Sequence, residues 1–351
     1  MSRCYILGAG FSKAVSDLPV MKDLSKKFWQ IRDQEKQRGH RNRVEWGNRI
    51  KGYLDDLEKE FFEKPCIRND ETYEECNFQE NLEALISFID LNTSGEIKAR
   101  VKKNGTKSSY TKRALFSNLP NLDDLRTCIQ TYIYLALIKP DVNTGALDPF
   151  IQRIAQNDKL ITFNYDLIVE RALYEQGIWK PKDGYGMTFK GLPQIANSHN
   201  SESKIHIYKL HGSLNWEKDG KLRFFHDDKE PIFPGYLQEG SGSKFSEYQG
   251  KHLGLWIMPS FIKQFAVPEL LTVWQAAFKV IQESGEIVVI GYSLPEEDSA
   301  ACLLFGTTDI SQKRLVLVDL RAGELEEKYR TITRNKRIEK FFSLESFLSS
   351  S

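Results

Sequence analysis

Arg3-Cys4-Tyr5-Ile6-Leu7-Gly8-Ala9-Gly10-Phe11-Ser12 is the stretch that decides the fold. Its first half is a short apolar run with little alternation, the mark of a strand buried on both faces in a parallel sheet. The run ends at Gly8-Ala9-Gly10, where glycine permits positive φ and close approach of backbone, so that N–H groups can face a pyrophosphate at a helix start. A tight strand-to-helix turn with no ligand fits the same residues equally well. A dehydrogenase-type fingerprint needs a third Gly or Ala at position 13, and this chain has Lys13. It also lacks an acidic residue closing a clear second strand about twenty residues on, so the hydride-transfer reading loses both discriminators.

Further along, Thr162-Phe163-Asn164-Tyr165-Asp166, Lys209-Leu210-His211-Gly212-Ser213 and Gly291-Tyr292-Ser293-Leu294 each close an apolar run. Parallel sheets gather ligands and chemistry along the edge where their strands end. Asn164 and Asp166 read either as helix caps or as polar groups for a water, a ribose hydroxyl or an amide. His211, at the end of the run Lys204–Leu210 and just before a glycine, is placed to accept a proton near neutral pH. Ser293 would either cap a helix starting at Pro295 or donate to a phosphate or ribose oxygen. Asp319, closing the run Leu315–Val318, is placed for a ribose hydroxyl; a plain loop carboxylate is the other reading.

The chain has 351 residues, enough for one large or two modest domains with a substantial core. Apolar residues make up 40 % and charged residues 28 %, with a formal net charge of +1, so nothing global selects nucleic acid or membrane. Cys4, Cys66, Cys76, Cys128 and Cys302 are scattered with no C-x-x-C pair, which argues against structural zinc or a disulfide framework. The apolar run at the N-terminus is too short for a secretion signal and no stretch approaches a bilayer span, so a cytoplasmic protein is expected.

Between the first strand and the later ones the period changes. Ile50, Leu54, Leu57 and Phe61 recur at helical spacing, as do Phe78, Leu82, Leu85 and Ile89, and Leu122, Leu125, Ile129, Tyr132 and Ile133. The expectation is a helical subdomain over about 25–140 inserted into an α/β core of about 1–25 and 150–325, with a tail over 325–351. Residues 92–113 break the helical pattern. Lys98, Arg100, Lys102, Lys103, Lys107, Lys112 and Arg113 make them read as a solvated loop, or as a patch for nucleic acid or another partner. Helices are expected from Asp166 to about Glu175, over Leu270–Gln282 and over Pro295–Leu304. Residues 217–250 read as hairpin or loop, and Leu315–Asp319 as the last buried strand.

Taken together and in this order, the motifs resemble the sirtuin family, most nearly the sirtuin-like NAD+ hydrolases of bacterial anti-phage defence. The resemblance implies an α/β fold, a Rossmann-like parallel sheet flanked by helices of the sirtuin large-domain type, with an inserted helical subdomain and no zinc module. Deacylases of the family carry a four-cysteine zinc module after the histidine, and residues 212–290 here hold no cysteine. Deacylases also carry a Phe-Arg pair after a proline, where Pro19 is followed by Val20-Met21-Lys22.

The implied activity is cleavage of NAD+ to nicotinamide and ADP-ribose, with NAD as substrate and no metal. By the same resemblance Asn164 and His211 are catalytic, and Gly8, Ala9, Gly10, Phe11, Ser12, Asp166, Gly291, Ser293 and Asp319 bind the dinucleotide. It further implies a regulated effector that depletes NAD+, a homo-oligomer, and a ring-shaped ATPase motor as partner. Nucleic acid would enter only indirectly or through the basic segment 98–113, and no membrane is involved. The rival expectations are a non-catalytic module that binds NAD or ADP-ribose and gates a partner, and a protein deacylase.

Overall fold

A computed structural model describes residues 2–21, 23–24, 82–93, 97–103, 106–112, 126, 129–130, 133–134, 136–137, 140–180, 184–185, 205–218, 222–224, 226–227, 230–231, 254–260, 268–295 and 298–350. The chain divides into two compact units, one of Met1–Met21, Leu137–Ile257 and Gln264–Ser351, the other of Lys22–Ala136 and Met258–Lys263.

The first unit is built on six strands that run parallel: β1 (Arg3–Leu7), β4 (Lys159–Thr162), β5 (Ile207–Lys209), β11 (Glu286–Ile290), β12 (Arg314–Val318) and β13 (Ile338–Phe341). Their order is β13-β12-β11-β1-β4-β5. From β1 the chain builds outward to β4 and β5, then returns to the other side of β1 and builds outward through β11, β12 and β13. The reversal lies between β1 and β11, the position at which sheets of this order bind ligands, outside the carboxyl ends of the strands.

Consecutive residues Cys4–Leu7, Ile287–Ile290 and Leu315–Val318 are all buried. Neighbours on a strand point to opposite faces, so the central strands are covered on both, as the unalternating apolar runs require. The covering helices are α1 (Ala9–Val15), α3 (Thr144–Arg153), α4 (Ile168–Glu175), α5 (Pro268–Glu283), α6 (Ser299–Thr307), α7 (Ala322–Thr333) and α8 (Leu344–Leu348). Tyr5 meets Phe150 of α3 edge to face at 5.5 Å, and Phe11 of α1 lies 4.8 Å from the same ring. Phe305 of α6 meets Tyr329 of α7 at 5.6 Å.

A second, antiparallel sheet in this unit joins β6 (Gly212–Lys218) to β7 (Leu222–Phe224) and β10 (Gly254–Trp256). The short strands β8 (His226–Asp227) and β9 (Glu230–Pro231) pair with each other. β6 begins straight after His211. The turn between them requires φ +81° at Gly212, a conformation that side-chain-bearing residues rarely take.

In the second unit α2 (Leu82–Thr93) buries Leu82, Leu85, Ile86 and Ile89, three of them positions at the expected helical spacing. Asp90 on that helix accepts a hydrogen bond from Arg126 at 2.9 Å. Ile129 and Ile133 are also helical and buried. Ile50, Leu54, Leu57, Phe61, Phe78, Leu122, Leu125 and Tyr132 lie outside the described residues.

Two expectations need correction. Within 92–113 the described residues are not a loop: β2 (Ile97–Lys103) pairs with β3 (Thr106–Lys112) in a continuous antiparallel ladder, with Asn104-Gly105 between them in sequence. Asn-Gly between strand-like runs is a strong hairpin signal that the charge content hides. The helix expected at Pro295 starts at Ser299. Leu315–Val318 is the last buried strand, as expected; β13 follows it on the sheet edge within the tail, its two central residues exposed, without the apolar run that marks the buried strands.

Candidate functional site

The register of the sheet aligns one row across its carboxyl edge. Lys209 pairs with Thr162, Thr162 with Leu7, Leu7 with Ile290, Ile290 with Val318, and Val318 with Phe341. One residue further, Leu210 N donates to Thr162 O, Phe163 N to Leu7 O, Gly8 N to Ile290 O and Gly291 N to Val318 O, at 2.9–3.1 Å. Every segment singled out in the sequence leaves the sheet from this row. Asn164 and His211 therefore sit on neighbouring strands, each two residues past the strand end, and Asp319 closes β12 three strands over from β4.

The loops that meet at the β1–β11 reversal carry glycine for a measurable reason. A Cβ on Gly8 would come within 2.5 Å of Gly291 O, and one on Gly10 within 2.8 Å of Gly291 Cα. Gly291 itself has φ +63°, and its Cβ would lie 2.1 Å from Phe11 N. Gly10 N donates to Gly291 O at 2.9 Å. The two glycine loops thus pack backbone on backbone. Close approach was expected of Gly8 and Gly10; positive φ was too, and it falls on Gly291 instead, while Gly8 is extended at φ −116°. Ala9 is exposed at the mouth of the turn, and Phe11 points into the core.

Beside them, three side chains of the β1 and β4 loops form a chain of hydrogen bonds. Asn164 Nδ2 donates to Gly8 O and to Ser12 Oγ, both at 2.8 Å. Ser12 Oγ donates to Asp166 Oδ2 at 2.7 Å. Asp166 Oδ1 accepts from Ile168 N at 3.2 Å, at the first turn of α4. Because Gly8 O can only accept, the amide orientation of Asn164 is fixed: its donor faces the loop, and Oδ1 is the acceptor that remains. Ser12 and Asp166 are buried and spend their polar atoms holding Asn164 and the helix start.

Underneath lies an ion pair that sequence reading missed. Lys209 is fully buried, and its Nζ donates to Glu170 Oε1 at 2.6 Å and to the carbonyls of Asp166 and Tyr165. Glu170 is 1 % exposed. Burial pushes its carboxyl up from the ordinary range, while the Lys209 ammonium pulls it down. The pair fastens the loop that carries Asn164 to the strand that carries His211. A lysine in a strand otherwise buried and apolar was the available signal.

His211 is 7 % exposed. Its Nε2 lies 3.1 Å from Asp298 Oδ2, and Tyr292 donates its hydroxyl to the same oxygen at 2.7 Å. The Tyr292 ring stacks on Phe163 at 4.0 Å with planes 5° apart, and Phe163 stands edge-on to His211 at 5.1 Å. Burial, then the neighbouring Asp298, raise the Tyr292 hydroxyl well above its usual range, so it stays a donor. Ser293 is half-buried and makes no hydrogen bond to the described residues. It does not cap α6, since that helix begins at Ser299. Asp319 Oδ1 accepts from Arg321 N at 2.8 Å, which ties it into the turn before α7.

Asp298 was not foreseen, because a helix drawn from Pro295 places it inside the first turn and not at the cap. Among the described residues no group of three or more His, Cys, Asp and Glu is arranged to hold a metal ion.

Residues 158–339, a little over half of the chain, match the family described as SIR2-like domain. The chain belongs to that family. The match runs from the turn before β4 through β13, and so takes in Asn164, His211 and the Gly291 loop. No curated protein matches this SIR2-like chain in sequence. A solved structure from "Structural Basis for the Mechanism and Regulation of Sir2 Enzymes" is similar over 98 % of this chain and 88 % of that one. Its identity is 12 % and its TM-score 0.39, too slight a likeness to add to the family assignment. No helix among the described residues is long and apolar enough to cross a membrane.

Proposed function

We propose that this chain is an NAD+ glycohydrolase, releasing nicotinamide and ADP-ribose by attack of water on the anomeric carbon of the nicotinamide ribose. The observation that carries the reading is the state of Asn164: pinned through its donor to Gly8 O and Ser12 Oγ, it keeps Oδ1 as an acceptor, on the strand next to that of His211. A fixed acceptor beside a histidine is what orientation of a water or ribose hydroxyl needs.

The reaction asks little else. The C–N bond breaks with its electron pair moving to the ring nitrogen, so the cationic pyridinium leaves as neutral nicotinamide and needs no acid. The new bond runs from the water oxygen to the anomeric carbon, and the water proton goes to His211. Charge develops on an oxocarbenium-like ribose, which the site must hold in place and shield. The backbone at Gly8, Ala9, Gly10 and Gly291 would take the pyrophosphate, with Ser293 and Asp319 toward the riboses, while the buried Phe11, Ser12 and Asp166 would shape the site by packing and by holding Asn164. Asp319 lies three strand spacings from β4, about 14 Å, so the site would hold an extended dinucleotide. Family membership supports chemistry on NAD, and the absence of cysteine from residues 212–290 favours hydrolysis over deacylation.

The wider role, NAD+ depletion in anti-phage defence by a regulated homo-oligomer beside a ring-shaped ATPase, rests on the sequence resemblance. Nicotinamide release and NAD+ binding by wild type, Asn164→Ala and His211→Ala test the chemistry. Both variants are expected to bind NAD+ and to lose at least about 100-fold in turnover. Unchanged turnover in both would remove the site.

A further inference from the structure

We infer that Asp298 is the positioning residue of His211, holding its Nε2–H so that Nδ1 is the nitrogen that takes the proton in the reaction; this rests on the NAD+-cleavage reading above. A carboxylate only accepts, so the ring nitrogen facing Asp298 Oδ2 at 3.1 Å carries a hydrogen. In the neutral imidazole the basic lone pair is then on Nδ1.

The local backbone shows that this contact is specific. Asp298 occupies the N-cap position of α6: its carbonyl accepts from Cys302 N at 3.0 Å, yet its side chain makes no capping bond. Aspartate is among the best N-caps, and a cap is worth about 1 kcal/mol. Here the carboxylate turns away from the four N–H groups of the helix start. It meets His211 and Tyr292 instead, at a position 1 % exposed.

Tyr292 is itself held at both ends. Its ring lies flat on Phe163, and its carbonyl accepts from Tyr329 OH at 2.7 Å. The carboxylate is thus fixed by a tyrosine of the Gly291 loop, the imidazole by the carboxylate, and the ring face by Phe163. As the water proton arrives at Nδ1, the Asp298 carboxylate faces the imidazolium that forms and offsets its charge. No proton passes to Asp298. The Gly291-Tyr292 loop therefore sets the orientation of His211 on the far side of β1.

Nitrogen-15 spectra of the full chain labelled at its six histidines test the assignment, with His211→Ala identifying the resonance. Wild type is expected to show the Nε2-protonated tautomer at neutral pH, and Asp298→Asn a mixed or reversed one. Nicotinamide release should fall 100-fold or more in kcat for Asp298→Asn, roughly as for lost outer-shell or triad carboxylates, with KM for NAD+ within threefold. Asp298→Glu should recover part of that loss.

A wild-type His211 protonated on Nδ1 overturns the proposal, whatever the variants do. A kcat unaltered in Asp298→Asn, with wild type active, overturns it as well and leaves the reaction standing. Wild type that binds NAD+ without cleaving it ends the reaction reading instead, while the tautomer still decides the positioning.

Discussion

Lys209 and Glu170 show how a single residue ties sequence to site. A buried ion pair is costly to desolvate, and removing one member leaves an uncompensated charge worth about 3–5 kcal/mol. In Lys209→Met burial first, and then the Asp166 charge, push the Glu170 carboxyl up with only a backbone hydrogen bond opposing them, so its folded pKa lies above its unfolded one. The stability of that variant is then full below the unfolded carboxyl range and lost as pH rises through it toward the folded value. Urea unfolding of Lys209→Met should show a deficit of about 3 kcal/mol against wild type at neutral pH, shrinking toward pH 4. A deficit that does not depend on pH contradicts the pairing.

The glycines divide in the same way. Gly291→Ala must place a Cβ 2.1 Å from Phe11 N at φ +63°, whereas Gly177, at φ +68°, has nothing within 4 Å. Backbone strain alone costs about 1–2 kcal/mol and overpacking adds about 1–3. Gly291→Ala should therefore lose about 2–5 kcal/mol, and Gly177→Ala about 1. Equal losses in urea unfolding would mean that the β1–β11 loops do not pack as described. Gly8 and Gly10 were legible as positions of close approach. That their neighbour is another backbone was not, since Gly291 lies far away along the chain.

At the scale of elements, strands buried on both faces were plain in the sequence. Arg3–Leu7, Lys159–Thr162 and Glu286–Ile290 are β1, β4 and β11 within one residue of expectation. The elements that were missed lack an apolar run. β13 is an edge strand with an exposed centre, and β2–β3 is a polar ladder. α6 begins four residues late. Leu294 takes φ +50° directly before Pro295, a left-handed conformation where the expected helix would be entered. A left-handed leucine before a proline costs of order 1–3 kcal/mol and persists only where surroundings impose it. Here Leu294 is fully buried and Tyr292 is clamped.

The last helix offers a test at this scale. α8 lays Phe347 against Phe341 at 5.4 Å and under the Arg153 guanidinium at 4.6 Å, and Arg153 also donates to the carbonyls of Leu348 and Ser350. Phe347→Ala should cost about 3–5 kcal/mol, as for other buried aromatics. Thermal unfolding within 1 °C of wild type would mean that α8 is not packed on the core.

For the first unit, one topological fact organises the rest: strands from distant parts of the chain end on one row, and the reversal between β1 and β11 lies there. The motif residues were legible because each must follow a buried strand. Their partners were not. Asp298 and Lys209 act through the carboxylate of one loop and the carbonyls of another, and such contacts exist only once the sheet brings the loops together.

The measurement that bears most directly on the central claim is a mass balance. Full-length chain is incubated with NAD+ and no other substrate, and nicotinamide and ADP-ribose are followed together by proton NMR. The account predicts equal amounts of the two products at the expense of NAD+, and neither above background with His211→Ala. NAD+ bound by the wild type yet recovered intact, or products formed equally well by His211→Ala, would contradict it.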